Sequence, residues 1–101
     1  MSRPPLGLAP PPPPVLHLDS IQAFLDGTRG QITLGRIPPI PYAALAAEGK
    51  SMRAALVGRE DESIVDLLIR LNAALDTFIT TGVLVDEVTP EIQRRRQAKS
   101  K

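Results

Sequence analysis

Residues 62–81 read ESIVDLLIRLNAALDTFITT, and an apolar stripe in this stretch sets the expectation for the fold. The stripe consists of Ile64, Leu68, Leu71, Leu75 and Phe78. Its spacing alternates between four and three residues, which places all five side chains on one side of an α-helix. A helix this apolar on one face must bury that face against another surface. The stretch therefore predicts a long amphipathic helix over Glu62–Thr81 as the central element of the domain.

Both ends of this helix carry the residues that helix ends favour. Ser63 and Asp66 have the spacing of a capping box, and Asp61 is an equally good N-cap. Glu60, Asp61 and Glu62 place negative charge at the positive end of the helix dipole. Gly82 follows the last apolar position and predicts the C-terminal end.

The remaining segments predict short elements around the long helix. We expect a helix over 20–26, because this segment has an apolar face. We also expect helices over 42–48 and 52–57, because both segments are rich in alanine and are bounded by glycine, proline or serine. A last helix of two turns is expected after Pro90. Two short strands are expected, at Gln31–Leu34 and at Val83–Val85. The fold class predicted is mostly α, with one long central amphipathic helix and at most two short strands.

The chain divides by composition into an arm, a domain and a tail. Residues 1–15 include the run Pro10–Pro14, which favours an extended polyproline rod that acts as a tether or as a ligand for a proline-binding partner. Residues 16–92 form the predicted helical domain. Leucine, isoleucine, valine and phenylalanine make up 29 of the 101 residues, which is above the level typical of disordered chains and sufficient for a small core. Residues 93–101 form a basic C-terminal tail.

Net charge is unevenly distributed along the chain. Residues 91–101 carry a net charge of +4, whereas residues 1–90 carry −3. The positive side chains of the tail, which could contact the phosphates of a nucleic acid, are Arg94, Arg95, Arg96, Lys99 and Lys101. No aromatic residue lies among them to stack on bases, and basic residues also suit the negative end of a helix dipole. The tail is therefore predicted either to bind the phosphates of a nucleic acid or to form a basic, solubilising helix end.

No motif in the chain predicts an enzyme, a cofactor or a metal site. Gly49-Lys50-Ser51 matches the end of a phosphate-binding loop, but the glycine required five residues earlier is replaced by Ala44. His17 is the only histidine and there is no cysteine, so the usual zinc ligands are missing. The carboxylates of 60–62 and 86–87 are neighbours in sequence and do not form a paired acid–base site.

The sequence therefore predicts a small non-enzymatic protein–protein interaction module: an adaptor, a chaperone or a regulatory subunit. Its partner would be a second copy in a homodimer or another protein, contacted through the apolar face of the long helix. The predicted interface residues are Ile64, Val65, Leu68, Leu71, Leu75, Phe78 and Ile79. The alternative is a nucleic-acid-associated accessory protein that binds phosphates through the basic tail. With no apolar run long enough for a membrane span or a secretory signal, we expect a cytoplasmic location and no membrane partner.

Overall fold

The computed structural model of the chain describes residues 17–99. In chain order these residues form α1 (Asp19–Gly27), β1 (Gly30–Ile37), β2 (Ile40–Glu48), β3 (Ser51–Val57), α2 (Ile64–Thr81) and α3 (Val88–Lys99). The three strands form one antiparallel sheet in the order β1-β2-β3. The predicted polyproline arm lies outside the described residues.

The expectation of a mostly helical domain with at most two strands is wrong, because the protein has an α+β fold. The segments 42–48 and 52–57, predicted as helices, are the strands β2 and β3. Alanine favours helices when a segment is considered alone, but packing in the folded chain overrides such propensities. Five alanines of these two strands, Ala43, Ala44, Ala46, Ala54 and Ala55, are completely buried in the sheet.

The three strands follow one another through tight turns, and the turn between β2 and β3 contains Gly49 and Lys50. Gly49 and Lys50 join β2 to β3, because Glu48 pairs with Ser51 on either side of them. Gly49 has a φ of +61°, which suits the first central position of a type II′ turn, where glycine is favoured. The glycine that was expected to end a helix therefore closes a hairpin.

One face of the sheet is covered by α1 and α2. Ala44, Ala46, Ala54 and Leu56 of the sheet pack against Leu67, Leu71 and Leu75 of α2 and against Ile21 and Phe24 of α1. Because alanine side chains are short, the long helix can approach the two strands closely and fill the space with its leucines. This is the larger of the two clusters of buried apolar side chains in the described residues.

The opposite face of the sheet packs against α3. Val88 and Ile92 of this helix contact a smaller cluster that includes Ile40, Ala43 and Ala55. The predicted strand Val83–Val85 does not form. Instead, the N–H of Ala55 donates to the Val85 carbonyl at 2.9 Å, and the N–H of Glu87 donates to the Ala55 carbonyl at 2.8 Å. A single parallel bridge between Ala55 and Asp86 therefore covers part of the outer edge of β3.

The predicted ends of the long helix are confirmed to within two residues. Ser63 is the N-cap, and its hydroxyl accepts a hydrogen bond from the N–H of Asp66 at 3.0 Å. Gly82 is the C-cap in the left-handed conformation, and its N–H donates to the Phe78 carbonyl at 2.8 Å. Among residues 17–99, no helix has both the length and the apolar character needed to cross a membrane.

Candidate functional site

The predicted interface residues on α2 fall into three environments. Leu71 and Leu75 are completely buried within the chain, and Leu68 is half-buried against the same core. Ile64 and Val65 lie near the start of α2 with about half of each side chain exposed, at 52 % and 50 %. Phe78 and Ile79 lie near its end, and Ile79 is 57 % exposed. The buried face of α2 also includes Leu67, which flanks the five-residue stripe in the sequence prediction.

A small apolar pocket lies at the C-terminal end of α2. It has a volume of about 170 Å³ and sits between α1, α2 and the hairpin that joins β2 to β3. Its lining residues are Ala23, Phe24, Thr28, Glu48, Arg53, Leu75, Phe78 and Ile79. Three of the seven predicted interface residues therefore line the pocket.

Arg53 reaches this pocket because of an irregularity in the sheet. Ala46 pairs with Ala54 and Ala47 pairs with Met52, so Arg53 is an extra residue that has no partner in the ladder. Such a β-bulge redirects the side chains next to it. The guanidinium of Arg53 lies 5.2 Å from the centroid of the Phe78 ring and 3.4 Å from a carboxylate oxygen of Glu48. The pocket thus carries one positive group at its rim.

A second arrangement of charged groups surrounds Arg70 near the start of α2. The guanidinium donates two hydrogen bonds to Glu62, at 2.8 and 2.9 Å, and one to the Val57 carbonyl at 2.8 Å. It also donates to both oxygens of Glu87, at 3.2 and 3.3 Å. Glu87 in turn accepts the N–H of Val57 at 3.0 Å. We call this group of side chains the Arg70 clamp.

The Arg70 clamp shifts the pKa of both partners in the direction that keeps them charged. The pKa of Glu62 is lowered from 4.5 to about 2, mainly by the side-chain hydrogen bonds from Arg70 and further by the N–H of Arg59, while burial opposes the shift. The hydrogen bonds to Glu62 raise the pKa of Arg70. Because the guanidinium and both carboxylates are engaged with one another and with the ends of β3 and α2, the clamp connects elements of the fold. It offers no unpaired acid or base for catalysis.

The arginines of the predicted basic tail lie on α3. Glu91 accepts from Arg94 at 2.6 Å and from Arg95 at 2.7 Å. Arg95 also donates to the Pro39 carbonyl at 3.4 Å. Arg96 is exposed. Lys101 and the side chain of Lys99 lie outside the described residues, so the structure does not bring the five basic residues into one described surface.

The other candidates from the sequence are not brought together into a site. His17 is exposed ahead of α1, and Gly49-Lys50-Ser51 is part of a hairpin. Within residues 17–99, no three histidine or carboxylate side chains converge where they could hold a metal ion.

The sequence predicted no pocket, although three of its predicted interface residues line one wall of it. Phe24 belongs to α1 and Arg53 to β3, and neither is periodic with the apolar stripe. In the sequence, Arg53 is distinguished only as a charged residue within the apolar segment 52–57, and that segment is predicted as a helix. Its position in the pocket depends on the bulge, and a bulge becomes visible only once the strands are paired.

Comparison of the chain with protein-family models, with curated proteins and with solved structures found no match.

Proposed function

We propose that the chain is a small non-enzymatic protein–protein interaction module that works as an adaptor, a chaperone or a regulatory subunit. Its docking site would be the apolar pocket at the C-terminal end of α2. The observation that supports this best is an apolar concave lining that includes Ile79, whose side chain is 57 % exposed. Exposed apolar groups beside an apolar depression are typical of surfaces that bind another protein.

The size of the pocket favours one side chain of a protein over a whole small molecule. Pockets for small-molecule ligands and cofactors usually measure about 300–1,000 Å³, whereas this pocket measures about 170 Å³. A single large apolar side chain is the kind of group that anchors an interface in a small pocket. The occupant we propose is therefore one leucine, isoleucine, methionine or phenylalanine side chain of a partner protein.

The charge at the pocket rim specifies what should accompany that anchor. Arg53 is held only loosely by Glu48, at 3.4 Å, and both side chains remain about one-third exposed, at 32 % and 40 %. A carboxylate on the partner could replace this contact with a shorter, charge-assisted hydrogen bond. We therefore propose a partner segment in which an aspartate or glutamate lies next to the apolar anchor.

Selection from a library of displayed random peptides tests this proposal. The immobilised wild-type chain should enrich peptides in which a large apolar residue neighbours Asp or Glu. Binding of a selected synthetic peptide is then measured by calorimetry with three variants. Ile79→Lys places a charge at the mouth of the pocket, and Arg53→Gln removes the positive group. Ile64→Lys makes the same kind of change at the opposite end of α2.

The expected result is a loss of at least about tenfold in affinity for Ile79→Lys and for Arg53→Gln, with wild-type affinity for Ile64→Lys. Circular dichroism of each variant would show that the fold is retained. Failure to enrich any such peptide, or equal binding by all three variants, would overturn the proposal.

The alternative is a nucleic-acid-associated accessory protein. Its support is the net charge of +4 in residues 91–101. Against it, Glu91 engages two of the arginines in ion pairs, which reduces the positive charge available to phosphates.

A further inference from the structure

The outer edge of β1 has no partner strand among the described residues. The sheet has the order β1-β2-β3, so β1 and β3 are its two edges. The edge of β3 is partly covered through the bridge between Ala55 and Asp86. On the outer side of β1, the N–H of Gly30 is satisfied by the hydroxyl of Thr28, and no other described segment forms backbone hydrogen bonds with this strand beyond its ladder with β2.

This edge lacks the features that normally prevent strands from pairing. Natural edges are protected by lysine, by proline, by inward-pointing charges or by bulges. Residues 30–35 read GQITLG and contain none of these groups. The first irregularity of the strand falls between Gly35 and Ile37, and it is followed by Pro38 and Pro39. Gly35 itself has a φ of +124°, so the regular and uncharged edge that is available consists of the five residues 30–34.

Apolar side chains at the same edge remain partly uncovered. Ile32 and Leu34 pair with Ala46 and Ala44 of β2, so both lie on the sheet face that α1 and α2 cover. Ile32 is half-buried at the margin of that core, and Leu34 is 36 % exposed. Thr33 lies on the other face and is exposed. Apolar side chains of the core under α1 and α2 are therefore partly exposed along the outer edge of β1.

We propose that two copies of the chain pair antiparallel through their β1 edges, with Thr33 of each copy on the two-fold axis. The two sheets then form one continuous sheet of six strands. In this register Ile32 of one copy lies opposite Leu34 of the second copy, and this apolar pair occurs twice because of the symmetry. Apolar cross-strand pairs of this kind stabilise antiparallel ladders.

The neighbouring registers are less favourable, which supports this choice. Shifting the axis to Leu34 would place the charged Arg36 opposite Ile32 of the second copy. Shifting it to Ile32 would place Leu34 opposite Gly30, which offers no side chain to contact. With Thr33 on the axis, Arg36 lies opposite Gly30 and no like charges face one another.

A second copy of the same chain is the partner that fits this edge best. An antiparallel pairing of identical strands is isologous, so each hydrogen bond and each side-chain contact on one side is repeated on the other. The uncharged edge also provides no electrostatic preference for a different, charged partner strand.

The test places charged side chains at the two-fold axis of the 101-residue chain and measures its oligomeric state. Sedimentation equilibrium of the wild type over a concentration series should show a mass rising from 10.9 kDa towards twice that value. In Thr33→Lys, two ammonium groups would lie directly opposite each other, and Thr33→Glu would do the same with two carboxylates. We expect each variant alone to remain at the monomer mass and their equimolar mixture to recover the dimer. Thr80→Lys, at an exposed position on α2, is the matched control and should dimerise as the wild type does.

Cross-linking tests the register. The chain has no cysteine, so Thr33→Cys introduces a single thiol, and Cα atoms facing across an antiparallel ladder are close enough for a disulfide. Mild oxidation should convert most of this variant into a covalent dimer, much faster than it converts Thr80→Cys. A wild type that stays monomeric at all concentrations would overturn the proposal, as would a dimer that survives in Thr33→Lys. Equal cross-linking of the two cysteine variants would do the same.

Discussion

The guanidinium of Arg70 donates hydrogen bonds to Glu62, Glu87 and the Val57 carbonyl. These groups precede α2, follow it and end β3, so one side chain joins three separate parts of the chain. The sequence contains each residue, but Glu62 and Arg70 are eight positions apart and Glu87 is a further seventeen positions away. Side chains that face each other on one helix are three or four residues apart in sequence. The Arg70 clamp therefore could not be predicted before the fold was known.

The first prediction concerns the acid sensitivity that the clamp gives to the fold. The pKa of Glu62 is lowered from 4.5 to about 2 in the folded chain. Because the folded value is the lower one, the stabilisation is complete above about 4.5 and is lost as the pH falls towards about 2. We expect Glu62→Gln to lower the free energy of unfolding at neutral pH by about 1–3 kcal/mol. The difference from the wild type should shrink as the pH falls through this window.

Urea unfolding at a series of pH values measures this difference. Glu60→Gln makes the same charge change outside the clamp, at an exposed position, and should alter stability at neutral pH by less than about 0.5 kcal/mol. If the two variants lost the same stability at neutral pH, the clamp would not be a stabilising contact.

The second prediction concerns the turn residue Gly49. Its φ of +61° is unfavourable for residues with a Cβ atom, and an added Cβ would contact no atom within 4 Å. Gly49→Ala should therefore destabilise the protein through backbone conformation alone, by about 1 kcal/mol. Lys50→Ala, the adjacent control, should change the free energy of unfolding by less than about 0.5 kcal/mol. Thermal unfolding of both variants measures this cost, and an equal loss of stability in Gly49→Ala and Lys50→Ala would contradict the left-handed conformation of Gly49.

At the scale of elements, the helices α1 and α2 were predictable and the strands β2 and β3 were not. α2 has strong periodicity and clear caps, and these local features also decide its ends in the fold. In β2 and β3 the buried positions are mostly alanine, which gives neither the alternation of large apolar residues nor the β-branched composition of an ordinary strand. Ala44, Ala46 and Ala54 pack against α2, whereas Ala43 and Ala55 lie on the face that packs against α3. Only the folded structure shows these contacts.

The third prediction concerns which face of α2 is buried in the core. The stripe places Ile64 at the start of the buried face, whereas the structure buries Leu67 completely and leaves Ile64 52 % exposed. Leu67→Ala should cost about 2–5 kcal/mol, because it leaves a cavity in the core. Ile64→Ala should cost less than about 1 kcal/mol, because much of that side chain already contacts water. Urea unfolding of both variants distinguishes the two orientations, and a larger loss for Ile64→Ala would favour the orientation predicted from the stripe.

At the scale of the whole molecule, α3 covers the second face of the sheet, and this changes the interpretation of the basic tail. Val88 and Ile92 contact the sheet, while Glu91 pairs with Arg94 and Arg95 of the same helix. The sequence predicted a helix that fades into a solvated tail, because charge counts alone do not show which arginines are neutralised. The positive charge of this region is partly balanced locally, and residues 1–90 carry a net charge of −3.

This balance gives the last prediction, which separates the two proposed functions. We expect the chain to bind a short DNA duplex or a single-stranded RNA only weakly at low salt, and to lose that binding at physiological ionic strength of about 0.15 M. Glu91→Gln frees Arg94 and Arg95 from their ion pairs and should strengthen binding at low salt, whereas replacing Arg94, Arg95 and Arg96 with glutamine should abolish it. Fluorescence anisotropy over a salt series measures all three proteins. Wild-type binding that persists at physiological ionic strength, and is lost in the triple variant, would establish the nucleic-acid alternative. It would also show that phosphates compete successfully with Glu91 for the arginines of α3.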